Sequence, residues 1–214
     1  PLRTRAGRQL VTLNRRSAAV LTFLSGLSLR RPGVAHCAAA GAVLADLHKA
    51  GEGFSLTRPN ALGLPGWRPL AEAVGDADSI EDGLTALIAA SLGDMEANWP
   101  RHLPAGVIHA DLFPDNVLFM KDAVSGLIDF YFTSNDTYAY DLAVMLNSWC
   151  FEGDGAYNIT KGKALIAAYQ SIRPLTQQEQ HALPVLMRGA ALRFLLTRLF
   201  DWLNPDPNAL VRPK

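Results

Sequence analysis

The side chains best suited to chemistry lie mid-chain, in the run His109-Ala-Asp-Leu-Phe-Pro-Asp-Asn116 and in Ile128-Asp-Phe130. A carboxylate beside a reacting hydroxyl orients it and takes its proton. Carboxylate and amide oxygens are the donors that a hard cation such as Mg²⁺ takes. Asp111, Asn116 and Asp129, with His109 beside them, are therefore candidates for taking a hydroxyl's proton and for holding such a cation. Taken singly, Asp and Asn also cap turns. Their spacing as a set favours chemistry: Asp111 and Asn116 differ by five, and Asp129 follows Asn116 by thirteen, room for two short strands and a turn.

The form His-x-Asp-x-x-x-x-Asn, followed a hairpin later by a metal-binding Asp, resembles the catalytic segment of kinases at all four positions. Protein kinases usually carry Arg where this chain has Ala110, and their Asp-Phe-Gly would require Gly where it has Tyr131. Both departures point to the small-molecule kinases of the aminoglycoside and choline phosphotransferase superfamily. Within it the chain resembles the homoserine kinases, in the runs Leu103 to Phe113, Gly126 to Phe132, Trp149-Cys-Phe-Glu152, Gly155-Ala-Tyr-Asn158, Tyr169 to Leu175 and Arg193 to Trp202.

That resemblance implies an α+β, protein-kinase-like fold and an ATP- and Mg²⁺-dependent enzyme that phosphorylates the side-chain hydroxyl of L-homoserine. It implies Asp111 as the base, Asn116 and Asp129 as Mg²⁺ ligands, and His109 as an orienting residue. Asp141, at the start of a helix behind the loop, would accept loop backbone N–H bonds; a plain helix N-cap fits its local sequence equally. Phe23, Leu24, Ser25 and Gly26 fall where a hinge would meet adenine, or form an ordinary exit from a strand. An amino-acid acceptor needs a carboxylate for its ammonium and a cation for its carboxylate. Asp136, Arg193 and Asp201 are the candidates, with Asn135 and Arg198 beside them, although Arg193, Arg198 and Asp201 also read as a solvated helix face with a salt bridge. A kinase of another hydroxyl acceptor and a non-catalytic kinase-like scaffold stand as alternatives.

The elements that must position these residues follow from periodicity. Gln9 to Leu13 and Ala18 to Phe23 read as a β-hairpin turning at Asn14-Arg15-Arg16. Val34, Cys37, Ala38, Gly41, Leu44, Ala45 and His48 keep helical spacing up to Gly51. Repeated Pro and Gly over 54–75 predict a loop. Ser79 with Asp82 predicts a capped helix ending near Trp99-Pro100. Val117 to Met120 and Gly126 to Ile128 predict a second hairpin. Helices are expected over Tyr138 to Trp149, Thr160 to Ile172, and after Thr176, whose partner Glu179 completes a capping box. Asn158-Ile-Thr160 matches a glycosylation sequon but is read as the turn into the helix that follows.

Twenty Lys and Arg balance twenty Asp and Glu, so no net field draws the chain to nucleic acid or an anionic membrane. Cys37 and Cys150 lack metal spacing and are expected as buried thiols in a cytoplasmic protein. No Walker G-x-x-x-x-G-K-[ST] occurs, and no Gly-rich phosphate loop precedes the first hairpin. The expectation is a remnant of an N-terminal lobe over 1–26, a helical catalytic lobe over 27–214, the loss of most of an upstream sheet, and weak activity for the chain alone. Oligomeric state is not legible.

Overall fold

The computed structural model describes residues 1–205, so residues 206–214 of the expected helical lobe lie outside the described residues. The fold is α+β. Strands β1 (Val11–Leu13) and β2 (Arg16–Ala18) form an antiparallel hairpin with Leu13 opposite Arg16. Asn14 and Arg15 both take positive φ, 48° and 63°, the two-residue turn whose twist matches that of the strands. The second strand thus starts two residues earlier than the predicted Ala18 and ends where it was expected to begin. A two-residue turn places Arg16 directly in register.

Helix α1 (Val34–Ala50) buries Cys37, Gly41, Leu44, Ala45 and His48 of the predicted stripe together with Ala40, while Val34 at its first position is exposed and Ala38 half-buried, and it closes at Gly51. The segment read as a loop over 54–75 instead contains helix α2 (Leu64–Val74). Pro65 stands in its first turn, where no backbone N–H is needed. Trp67 anchors the helix, wholly buried and donating from Nε1 to the Leu62 carbonyl at 2.7 Å. The predicted Ser79–Asp82 box does not form either. Ser79 Oγ donates to the Asp76 carbonyl, and Asp78 Oδ1 instead accepts Thr85 N at 2.8 Å to cap helix α3 (Leu84–Asn98).

Strand β3 (Ala105–Ile108), unforeseen in the periodicity, pairs antiparallel with β6 (Ser134–Thr137), Ala105 opposite Thr137. Between them run β4 (Val117–Met120) and β5 (Ala123–Leu127), joined at Lys121-Asp122. β5 starts three residues earlier than predicted because Lys121 adopts φ 55° and lets the chain reverse in two residues. Ile128 lies beyond it.

Helix α4 (Tyr138–Trp149) spans the predicted bounds and is buried on nearly every side from Tyr138 to Leu146, the mark of a central helix. Helix α5 (Ile159–Ile172) is capped by Asn158, whose Oδ1 accepts Lys161 N. Helix α6 (Gln177–Leu203) begins with the predicted Thr176–Glu179 capping box. Helix α1 packs on α5, and α6 packs on α4 and α2. The first contact requires Gly41, whose position faces the Leu165 carbonyl, and the second Gly189, set against the perpendicular rings of Trp67 and Trp99. Cys37 and Cys150 are buried free thiols. Among the described residues no helix is long and apolar enough to cross a membrane.

Candidate active site

The loop from Ile108 to Asn116 leaves β3 and enters β4 through a short 3-10 turn, Pro114–Asn116. Ala110 sits at φ 66° and Asp129 at φ 61°, left-handed conformations that cost an L-residue about 1–2 kcal/mol each and persist where the surroundings over-determine them. For Ala110 the cause is Asp141. Its Oδ2 accepts His109 N and its Oδ1 accepts Ala110 N, both at 2.8 Å. The carboxylate is wholly buried on α4 and also receives His48 Nε2 at 3.0 Å. Burial alone would raise its pKa, but the hydrogen bond from His48, with the loop N–H of His109, holds the carboxyl below its usual range. The N-cap of α4 is Thr137, not Asp141.

His109 is buried beneath the loop. Its Nδ1 accepts Asp111 N at 3.3 Å and its Nε2 donates to the Ile128 carbonyl at 3.1 Å, so one imidazole ties the Asp111 segment to the Asp129 segment. Asn116 Nδ2 donates to the Asp111 carbonyl at 2.8 Å and Ile128 N donates to the Asn116 carbonyl. Those bonds spend the amide nitrogen and leave Oδ1 for a ligand. Asp111, Asn116 and Asp129 all line one cavity of about 410 Å³. Burial pushes the Asp111 carboxyl up, with Arg193 opposing and Asp129 adding to the shift.

Arg193 and Asp201 line the same cavity, as do Arg198 and Thr197 of α6 and Leu62, which precedes α2. Arg193 does not stand on a solvated face. It is 4% exposed, donates from Nη2 to Asp111 Oδ1 at 3.1 Å, and packs its guanidinium against the rings of Phe132 and Phe194. Its Nε has no partner among the described residues. Asp136 is not among the residues lining the cavity: its Oδ2 accepts Asn60 Nδ2 and its Oδ1 accepts Thr137 N, and burial raises its pKa. Asn135 Oδ1 accepts Arg58 N, pinning the loop before α2 to β6. Phe23, Leu24, Ser25 and Gly26 also lie outside the cavity lining. They run beside the β4–β5 hairpin, where Ser125 Oγ donates to the Ser25 carbonyl at 2.6 Å and Leu27 pairs with Phe119 through both backbone groups. Phe23 itself is largely exposed.

The network behind the loop escaped the sequence reading. His48 Nδ1 accepts the Tyr169 hydroxyl at 2.7 Å, Arg173 donates to that oxygen at 3.2 Å, and Arg173 pairs with buried Glu179 at 2.9 Å. Hydrogen bonds, and at the last step the Arg173–Glu179 ion pair, thus link the loop, through α4, α1 and α5, to the capping box of α6, the helix that carries Arg193. The one available signal was a histidine on the apolar stripe of α1.

The donors fit a magnesium ion that takes its remaining ligands from phosphate and water: one exposed carboxylate, Asp129, and the free amide oxygen of Asn116. Among the described residues no trio of His, Cys, Asp or Glu forms a closed metal nest.

A family model described as "Phosphotransferase enzyme family" matches residues 2–175. A homoserine kinase from Azorhizobium caulinodans is 59% identical over 215 residues, covering 100% of this chain and 67% of that relative. One from Mesorhizobium japonicum is 58% identical, covering 99% of this chain and 66% of the relative. The chain therefore spans about two thirds of the length of these relatives. Among solved structures, an aminoglycoside phosphotransferase from Alicyclobacillus acidocaldarius superposes with TM-score 0.65 at 22% identity, over 94% of this chain and 66% of that one. An amicoumacin kinase in complex with AMP-PNP and Ca²⁺ superposes with TM-score 0.70 at 13% identity, over 97% and 65%. These likenesses show the protein-kinase-like fold.

Proposed function

Because the chain belongs to the phosphotransferase enzyme family and, within it, to the homoserine kinases, we propose that the full-length protein transfers the γ-phosphoryl group of ATP to the side-chain hydroxyl of L-homoserine, a step toward threonine. The observation that carries the chemistry is the placement of Asp111. It lines one cavity with the oxygen donors Asn116 and Asp129 and with Arg193, Thr197, Arg198 and Asp201 of α6.

Asp111 accepts the proton of the attacking hydroxyl, and Arg193 holds the carboxylate in position by its 3.1 Å bond. His109 and Asp141 act from behind, fixing the loop backbone on either side of Ala110. Asn116 and Asp129 hold Mg²⁺, which when bound neutralises charge on the phosphates. Residues 1–26 are the end of an N-terminal lobe whose segment Phe23–Gly26 meets the adenine, and the residues from 27 onward form the catalytic lobe. The close run of that segment along β4 and β5 supports the reading, since the same hairpin leads to Asn116 and Asp129. Homoserine and ATP are the expected partners, in the cytoplasm.

The test is ADP release by the full-length protein with Mg·ATP and homoserine, choline or an aminoglycoside, beside its Asp111→Asn variant. Turnover with homoserine, lowered in the variant by about 10²–10⁴-fold, supports the reading. Turnover confined to another alcohol would leave a kinase of different specificity. No turnover by well-folded full-length protein would leave a scaffold.

A further inference from the structure

Helix α6 presents a polar face to the cavity: Arg193, Thr197 and Asp201 recur every fourth residue with Arg198 beside them, and all four line it. Residues four apart stack on one side of a helix, so one element delivers these groups to the mouth in front of Asp111.

The two cations of that face are not equivalent. Arg193 is buried and committed to Asp111. Arg198 is exposed, with its guanidinium over the rings of Phe113 and Phe194 at 6.0 and 5.4 Å. Its one side-chain hydrogen bond among the described residues is a long one to the Phe194 carbonyl, 3.4 Å, and it has no carboxylate partner there. The acids divide in the same way. Asp111 is taken by Arg193, and Asp129 by its place among the metal donors. Asp201, three residues beyond Arg198, has neither a side-chain hydrogen bond nor an ion pair among the described residues. Two opposite charges thus stand one helical turn apart, each without a protein partner there, beside a carboxylate suited to deprotonating a hydroxyl.

Resting on the homoserine kinase reading, we infer that this pair is the zwitterion subsite: Arg198 binds the α-carboxylate of the amino-acid acceptor and Asp201 its α-ammonium. The α-carbon carries both charges and the hydroxyl sits at the far end of the side chain, so docking the charges on α6 leaves the hydroxyl to reach toward Asp111. Arg198 supplies a planar fork matched to a carboxylate, and the aromatic faces beneath it limit where that fork can lie. This assignment removes Arg193 from the acceptor's direct partners and gives it the base instead.

The experiment uses the full-length protein with Mg·ATP and three acceptor-site probes: homoserine, 3-aminopropan-1-ol, which lacks the carboxylate, and 4-hydroxybutanoate, which lacks the ammonium. KM is read for homoserine, and inhibition constants for the two analogues as competitors. Arg198→Met is expected to raise KM for homoserine by about 10- to 100-fold, as losing a charged hydrogen bond does. It should weaken 4-hydroxybutanoate similarly and leave 3-aminopropan-1-ol unchanged. Asp201→Asn should show the reverse preference among the analogues. A KM for homoserine that stays within about twofold of wild type in both folded variants, well short of the effect of a lost charged contact, overturns the subsite while leaving the kinase reading intact. So does an analogue pattern opposite to the one stated. Absence of homoserine turnover in the wild type sinks the kinase reading, and the subsite with it.

Discussion

Replacing Asp141 by Asn preserves side-chain shape and removes one charge and one acceptor at a site closed to solvent. Oδ2 accepts two donors, His109 N at 2.8 Å and His48 Nε2 at 3.0 Å, and Oδ1 accepts Ala110 N at 2.8 Å. An amide has one oxygen, so its NH₂ must face at least one of these donors. One orphaned buried N–H costs about 1–3 kcal/mol, and the surviving bonds lose the charge assistance that roughly doubles their strength. The sum is about 3–5 kcal/mol, the range for removing one member of a buried pair. In a domain of this size each kcal/mol lowers Tm by about 2–4 °C, so calorimetry should record a fall of about 6–20 °C. Were Asp141 only a helix cap, the loss would be about 1 kcal/mol. A fall below about 4 °C would therefore refute the anchoring role. At a temperature where the variant remains folded, ADP release should also drop by about 10²-fold, because a loop shifted by an ångström misaims Asp111.

Three further outcomes are expected. The Asp141 carboxyl sits below its ordinary range when folded, so the native state binds fewer protons than the unfolded chain and the stabilisation is full above about pH 4. It is lost as pH falls through the folded value, and the gap in urea midpoint between wild type and Asp141→Asn should narrow only in that acid range; a gap constant to low pH contradicts the linkage. Tyr169→Phe removes the hydroxyl that serves both His48 and Arg173 and should cost about 1–3 kcal/mol, read from the urea midpoint, whereas an unchanged midpoint would show that the network contributes nothing. Gly41→Ala places a methyl against the Leu165 carbonyl, backbone that cannot give way. The overpacking cost of about 1–3 kcal/mol should outweigh the gain in helix propensity of about 1 kcal/mol, and a raised midpoint would mean that α1 and α5 pack less closely.

Much of the site was legible where local chemistry decides. The loop from His109 to Asn116 is one run of residues, so its turn, its cap and the amide-to-carbonyl bond within it are set by near neighbours. The bounds of α4 and the capping box of α6 followed from periodicity and from a Thr three residues before a Glu. Misreadings arose where one residue type serves two purposes. Pro reads as a breaker, yet the first turn of α2 accepts Pro65, and Ser79 reads as a cap, yet Asp78 reaches Thr85 from outside the helix.

The sequence by itself determined which groups can do chemistry here and that Asp111, Asn116 and Asp129 belong to one loop and the strand pair after it, because bonds across a few residues limit where such groups can go. Only the tertiary structure decided that Arg193, eighty-two residues away, holds Asp111. It likewise decided that His48, ninety-three residues from Asp141, shares its carboxylate with the loop, and that β3 lies beside β6. The two side-chain pairings arise where α1 and α6 each pack on α4, since buried polar groups must find partners or be left costly and bare. Which partner each finds depends on the helix faces that meet, and no pattern local to one segment records that.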